Sequence, residues 1–187
     1  EKTPKQFLDF FGTGRSLLQS TFDRFNKIIP LENIFVVTND EYADLTKEQL
    51  PELSDDQILL EPIRRNTAPC IAYAAFRIQA INSEANIIVA PSDHMILKSD
   101  QFIADINKGL DFVQHHDVLL TLGIKPTRPE TGYGYIQVCD DEVEGVQKVK
   151  TFTEKPNKGL AQAFIDSGEF VWNSGIFIWS LKSILKA

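Results

Sequence analysis

Short apolar runs alternate with helical periods along this chain. Ile34-Phe35-Val36-Val37, Ile58-Leu59-Leu60, Ile87-Ile88-Val89-Ala90 and Val118-Leu119-Leu120-Thr121-Leu122 are continuous and partly β-branched. Such runs read as strands buried on both faces, as in a parallel sheet. Between them Leu17, Leu18, Phe22 and Phe25 recur at helical spacing, followed by Ile71, Ala74, Ala75, Ile78 and Ile81, then Phe102, Ile106, Leu110 and Val113. The second of these helices has a start signal, with Asn66 or Thr67 as cap and Pro69 in its first turn. A further helix around Leu160 to Ile165 stops at Ser167-Gly168, and another begins after Trp179. Alternation of strand and helix predicts an α/β domain with right-handed crossovers and helices on both faces. Tyr135 to Thr153 breaks the rhythm: Tyr135–Cys139 and Val146–Thr153 predict a hairpin-like insertion around an acidic turn, Asp140-Asp141-Glu142. No internal repeat or low-complexity linker interrupts the chain, which is read as one domain.

Charge narrows the partners. Nineteen Lys and Arg against 26 Asp and Glu give a net charge of −7. Nucleic acid and anionic membrane surfaces both need a basic footprint, so both are excluded as partners, whereas a nucleotide pocket needs only a few local cations. Cys70 and Cys139 lie far apart among apolar neighbours and read as buried free thiols of a reducing compartment. No run approaches the roughly 18 apolar residues of a membrane helix, and the expected location is cytoplasmic.

Ligands of open α/β sheets bind beyond the carboxyl ends of the strands, so the polar residues just past each strand are the candidates for chemistry. Pro91-Ser92-Asp93-His94 follows the third run. Asp93 has two readings: a carboxylate for Mg²⁺, a hard ion that also bridges phosphates, or a simple loop cap. His94 has no second His or Cys at ligand spacing and reads as a structural neighbour, while the dipole of a helix C-terminus accounts for His115-His116. Glu61-Pro62-Ile63-Arg64-Arg65-Asn66-Thr67 follows the second run. Its arginines lie ahead of a helix N-terminus that already favours anions, and they read equally as phosphate ligands or as a solvated basic turn. Thr131-Gly132-Tyr133-Gly134-Tyr135 lets backbone approach a ligand closely. Glu154-Lys155-Pro156 pairs an acceptor with a cation, and Asn173, in Trp172-Asn173-Ser174-Gly175, offers an amide ahead of an apolar strand, Ile176–Trp179. No Walker loop, no G-x-S-x-G elbow and no zinc or EF-hand spacing occurs.

Six segments, in order, resemble the mannose-1-phosphate guanylyltransferases, within the sugar nucleotidyltransferase family. They are Pro4-Lys5-Gln6-Phe7-Leu8, Glu61-Pro62 with Arg65-Asn66-Thr67-Ala68-Pro69, Ala90–His94, Gly123–Ile136, Phe152–Pro156 and Trp172–Phe177, and they cover essentially the whole chain. The resemblance implies a Rossmann-like nucleotidyltransferase fold with a mixed, mostly parallel sheet. The reaction it implies is transfer of GMP from GTP to mannose 1-phosphate, with Mg²⁺ as cofactor. It implies that Lys5 and Lys155 neutralise phosphates as catalytic cations, and that Glu61, Pro62, Arg65, Asn66 and Thr67 contact the nucleotide. Asp93 corresponds to the metal-binding aspartate, and Gly134, Glu154, Lys155 and Asn173 to the residues that hold the sugar and its phosphate.

The resemblance also implies a Gly-rich phosphate loop ahead of Pro4, a second metal-binding aspartate and a C-terminal β-helical domain. None lies within this sequence, so the chain is expected to be part of a longer protein and inactive alone. The reading admits a homodimer. Two other functions stay open: a nucleotidyltransferase for another sugar 1-phosphate or nucleoside triphosphate, and a non-catalytic nucleotide-sensing subunit of the same fold.

Overall fold

The computed structural model describes residues 3–61 and 66–187. In chain order its elements are α1 (Leu17–Phe25), β1 (Val36–Thr38), α2 (Ala43–Gln49), β2 (Ile58–Leu60), α3 (Thr67–Gln79), β3 (Asn86–Val89) and α4 (Ser99–His115). Then come β4 (Leu119–Ile124), β5 (Tyr135–Val143), β6 (Val146–Thr153), α5 (Lys158–Ser167), β7 (Phe170–Ser180) and α6 (Leu181–Lys186). The chain divides into two compact units, one of residues 1–87, 91–118 and 179–187, the other of residues 88–90 and 119–178. Parallel and antiparallel pairings both occur, giving the expected mixed α/β architecture.

The first unit is organised around α1. Ser16 and Gln19 cap its start reciprocally: the Ser16 hydroxyl accepts the Gln19 N–H at 3.1 Å, and the Gln19 side chain accepts the Ser16 N–H at 3.0 Å. The apolar stripe of the helix packs inward, where Leu18 and Phe22 join Phe7, Leu50, Leu53 and Ile58 in one buried cluster. Ile34, Val36, Tyr42, Leu45 and Leu60 pack against its margin. One contributor, α2, lies in a stretch where the apolar pattern predicts no helix; Leu45 packs on the cluster from within it and Leu50 follows it directly.

Strands β1 and β2 pair in parallel, with Val36 opposite Ile58 and Thr38 opposite Leu60. The expectation of strands buried on both faces holds for β2, whose Ile58 and Leu59 are buried, but not for β1, which is half-buried throughout. Strand β3 is exposed at Asn86 and half-buried beyond it. The reason is packing: Ile58 of β2 lies inside the buried cluster while Val36 of β1 packs only at its margin, and β3 ends the order β3-β7-β5-β6 with one hydrogen-bonded neighbour among the described residues.

In the second unit β5 pairs antiparallel with both β6 and β7, and β4 joins β7. The predicted hairpin is present, but Asp140, Asp141 and Glu142 lie within β5 and do not form its turn. The turn is Glu144-Gly145, with φ of 53° and 77°. Two successive positive φ values match the right-handed strand twist, and Gly at the second position takes that conformation without strain. Strand β7 is also longer than expected, so Asn173 sits inside it and not ahead of it. Helix α5 ends as predicted at Gly168, left-handed at φ 73°. Tyr135, Ala161 and Trp172 form this unit's buried cluster, with Phe164 and Phe170 against them. Among the described residues no helix is long and apolar enough to cross a membrane.

Leu50 is 0% exposed within the first cluster. Leu50→Ala is expected to lower unfolding stability by about 2–5 kcal/mol, read by urea denaturation; a loss under about 1 kcal/mol would show that the cluster does not hold this unit together.

Candidate functional site

Phe7 anchors the first site residue. It is 6% exposed in the α1 cluster, and its carbonyl accepts the Gln49 side-chain N–H at 2.9 Å. Lys5, in the short turn that Phe7 closes, thereby holds its ammonium 2.7 Å from Asp93 Oδ2. The loop that carries Asp93 is held from α1. Thr21 donates its hydroxyl to the Ser92 carbonyl at 3.3 Å, and the Arg24 guanidinium reaches the His94 carbonyl at 3.5 Å. Arg24 is itself buried over the Phe102 ring, and that burial lowers its pKa. His94 Nε2 lies 3.9 Å from Asp93 Oδ1. Burial, reinforced by Lys5 and Arg24, pushes the His94 pKa down against the pull of Asp93, which favours the neutral ring.

A second group gathers past β1 and β2. The Glu61 N–H donates to the Thr38 carbonyl at 2.8 Å, extending the strand pairing by one step. Asn66 takes the left-handed side at φ 67° and makes no side-chain cap bond, so α3 starts at Thr67 without the predicted capping interaction. Glu61, Asn66 and Thr67 line one cleft of about 490 Å³ together with Asn39, Tyr42 and Cys70. Burial, then the Glu61 carboxylate, pushes the Cys70 thiol up, so it stays protonated and poorly nucleophilic. Both cysteines are free but half-buried, short of the full burial expected. Pro62, Arg65 and the neighbouring Arg64 lie outside the described residues.

The third group belongs to the second unit. Gly134 is bound to β7 through its carbonyl, which accepts the Asn173 N–H at 2.8 Å. A Cβ at Gly134 would stand 3.2 Å from Glu154 Oε2 and 3.6 Å from Asn173 Cβ, so the missing side chain leaves the room in which these two groups approach the backbone. Asn173 Oδ1 accepts the Gly175 N–H at 2.9 Å, which leaves its NH₂ end as the donor for a ligand. Lys155 lies 3.2 Å from Glu154 and holds a left-handed φ of 39°. For a non-glycine residue that conformation costs of order 1 kcal/mol or more, and such strain clusters at ligand sites.

The predicted residues are thus gathered in three places: Lys5 with Asp93, Glu61 with Asn66 and Thr67, and Gly134 with Glu154, Lys155 and Asn173. Asn39 was missed, although it stands first past β1, where the strand-end rule points. Its Oδ1 is buried without a hydrogen-bond partner. Among the described residues no three His, Cys, Asp or Glu side chains converge as a metal cage. Asp93 offers a single carboxylate, a donor set that suits a hard ion shared with substrate phosphates and waters and does not suit zinc.

Residues 1–187 match the nucleotidyl transferase family. The chain is 38% identical over 194 residues to a mannose-1-phosphate guanylyltransferase of Escherichia coli, covering 100% of this chain and 41% of that protein. Two solved structures are similar. One, described as a mannose-1-phosphate geranyltransferase from Thermus thermophilus, matches with a TM-score of 0.86 at 28% identity over 98% of this chain and 52% of its own. A mannose-6-phosphate isomerase from Helicobacter pylori matches with a TM-score of 0.83 at 32% identity over 98% and 68%. The chain therefore spans about two fifths of the length of the guanylyltransferase it matches.

Gly134→Ala is expected to displace the exposed Glu154 carboxylate while costing under about 1 kcal/mol, since a flexible surface side chain can swing aside. A crystal structure of the variant with Glu154 unmoved would contradict the close approach.

Proposed function

The chain belongs to the nucleotidyl transferase family, and from that premise we propose that it carries the substrate-binding residues of a protein making GDP-mannose from GTP and mannose 1-phosphate, with release of pyrophosphate. The observation that carries the reading is the Lys5–Asp93 pair, a cation and a hard carboxylate 2.7 Å apart just past β3. Phosphoryl and nucleotidyl transfers need this combination, because their barriers are lowered mainly by positioning and charge neutralisation. The guanylyltransferase relative supports the choice of base and sugar.

In the proposed reaction a phosphate oxygen of mannose 1-phosphate attacks the α-phosphorus of GTP in line. One P–O bond forms and the bond to the β-phosphate oxygen breaks, so pyrophosphate departs without a protein-bound intermediate. Glu61, Asn66 and Thr67 bind the nucleotide in their cleft, and Pro62 and Arg65 are assigned to the same role. Glu154 accepts hydrogen bonds from sugar hydroxyls, and Asn173 donates to them. Lys155 neutralises the sugar phosphate, while Lys5 counters charge on the nucleotide phosphates. Asp93 would hold Mg²⁺, which would supply further neutralisation of phosphate charge.

The test uses the full-length protein that carries this chain. Asp93→Asn is expected to cut kcat by about 100-fold or more with the melting temperature retained, and near-normal turnover would remove Asp93 from the reaction. Lys155→Ala is expected to weaken use of mannose 1-phosphate by about tenfold with little change toward GTP; unchanged sugar-phosphate kinetics would contradict its role.

A further inference from the structure

Arg128 and Glu130 stand outside every role assigned above, yet they hold the loop that presents Gly134. The Arg128 guanidinium donates from Nε and Nη2 to Glu130 Oε2 at 3.1 and 3.0 Å. The other oxygen of that carboxylate, Oε1, accepts the Gly132 N–H at 3.1 Å. The backbone of Glu130 is tied as well: its N–H donates to the Arg128 carbonyl at 2.9 Å, and its carbonyl accepts the Tyr135 hydroxyl at 2.9 Å. Tyr135 is 0% exposed at the start of β5. Arg128 is also braced from β7, its guanidinium lying 5.5 Å from the centroid of the buried Trp172 ring. Tyr133, at the tip of the loop, meets the same indole edge-on at 5.2 Å.

We propose that Arg128 and Glu130 are positioning residues for sugar-phosphate binding, locking the 131–134 loop so that Gly134 stands beside Glu154 and Asn173 before the ligand arrives. The assignment rests on the function proposed above for what the loop binds. An isolated surface ion pair contributes little, but this carboxylate bridges two partners at once, a guanidinium and a backbone amide. Gly132 N–H and Arg128 together hold the Glu130 carboxyl below its ordinary range, so the bridge stays ionised. A loop with glycine at 132 and 134 loses much conformational freedom on ordering. Where the protein has already ordered the loop, that cost is removed from binding and affinity rises. Arg128 itself is committed to Glu130 through two N–H groups and to the Trp172 face, whereas Lys155 has the exposed Glu154 carboxylate beside it.

The experiment compares Glu130→Ala, Glu130→Gln and Arg128→Ala with wild type in the full-length protein, reading steady-state kinetics, melting temperature and amide hydrogen exchange of residues 131–134. Glu130→Ala is expected to raise KM for mannose 1-phosphate by about tenfold, with kcat within about threefold and KM for GTP unmoved. Exchange at Gly132 rises by a similar factor. Glu130→Gln keeps an acceptor for the Gly132 N–H but sets an NH₂ donor against the Arg128 guanidinium, so it is expected to recover only part of both losses. Arg128→Ala is expected to shift KM and exchange together in the same direction. Wild-type KM and exchange in Glu130→Ala would overturn the assignment, as would Arg128→Ala raising KM with exchange unchanged, the signature of a direct phosphate ligand. A wild-type protein that uses no hexose 1-phosphate would overturn the underlying function, and the assignment with it, before any variant is compared.

Discussion

Burial of Phe7, Leu18, Phe22, Leu50, Leu53 and Ile58 against one another is the constraint on which the first unit depends. Four members of that cluster, Phe7, Leu18, Phe22 and Ile58, are each one step from a residue that matters chemically. Phe7 fixes the turn that carries Lys5. Leu18 and Phe22 orient α1, whose Thr21 and Arg24 hold the Asp93 loop by its carbonyls. Ile58 sets β2, so that Glu61 continues the pairing with Thr38. Non-directional apolar packing thereby places a cation, a carboxylate and a cleft with a precision that no surface ion pair would supply.

The second unit adds strand hydrogen bonds to a small core in which α5 supplies Ala161 and Phe164. Strand β7 carries Asn173 between Trp172, which is buried, and Ser174, whose hydroxyl donates to the Leu122 carbonyl at 2.7 Å. The register with β5 then brings Gly134 against Asn173. A Cβ at Gly123 would meet Val171 at 2.5 Å, so β4 and β7 also lie closer than a side chain there would permit. Ligand groups on such strands move little, which suits a reaction whose catalysis is mostly positioning.

Much of this was legible in the amino-acid order. The helices announced themselves through apolar spacing, and the strand-end rule singles out Glu61, Asp93 and Glu154. What escaped has local causes. Helix α2 is short and mostly polar along Asp44-Leu45-Thr46-Lys47-Glu48-Gln49, so periodicity was too weak to reveal it. The acidic run 140–142 looked like a turn because carboxylates favour turns, while the conformational need at Glu144-Gly145 decided the true one. Half-burial of β1 and β3 could not be read from apolar runs, which report what a strand can bury and not what packs against it. The Arg128–Glu130 bridge depends on side-chain geometry between residues two apart, for which composition carries no signal.

Pyrophosphate release by the full-length protein, with Mg²⁺ and a grid of sugar 1-phosphates and nucleoside triphosphates, tests the central claim most directly. The account predicts release with mannose 1-phosphate and GTP and little with any other pair. Release confined to a different pair would contradict the assignment of base and sugar. A folded, nucleotide-binding protein that released none with any pair would contradict catalysis itself.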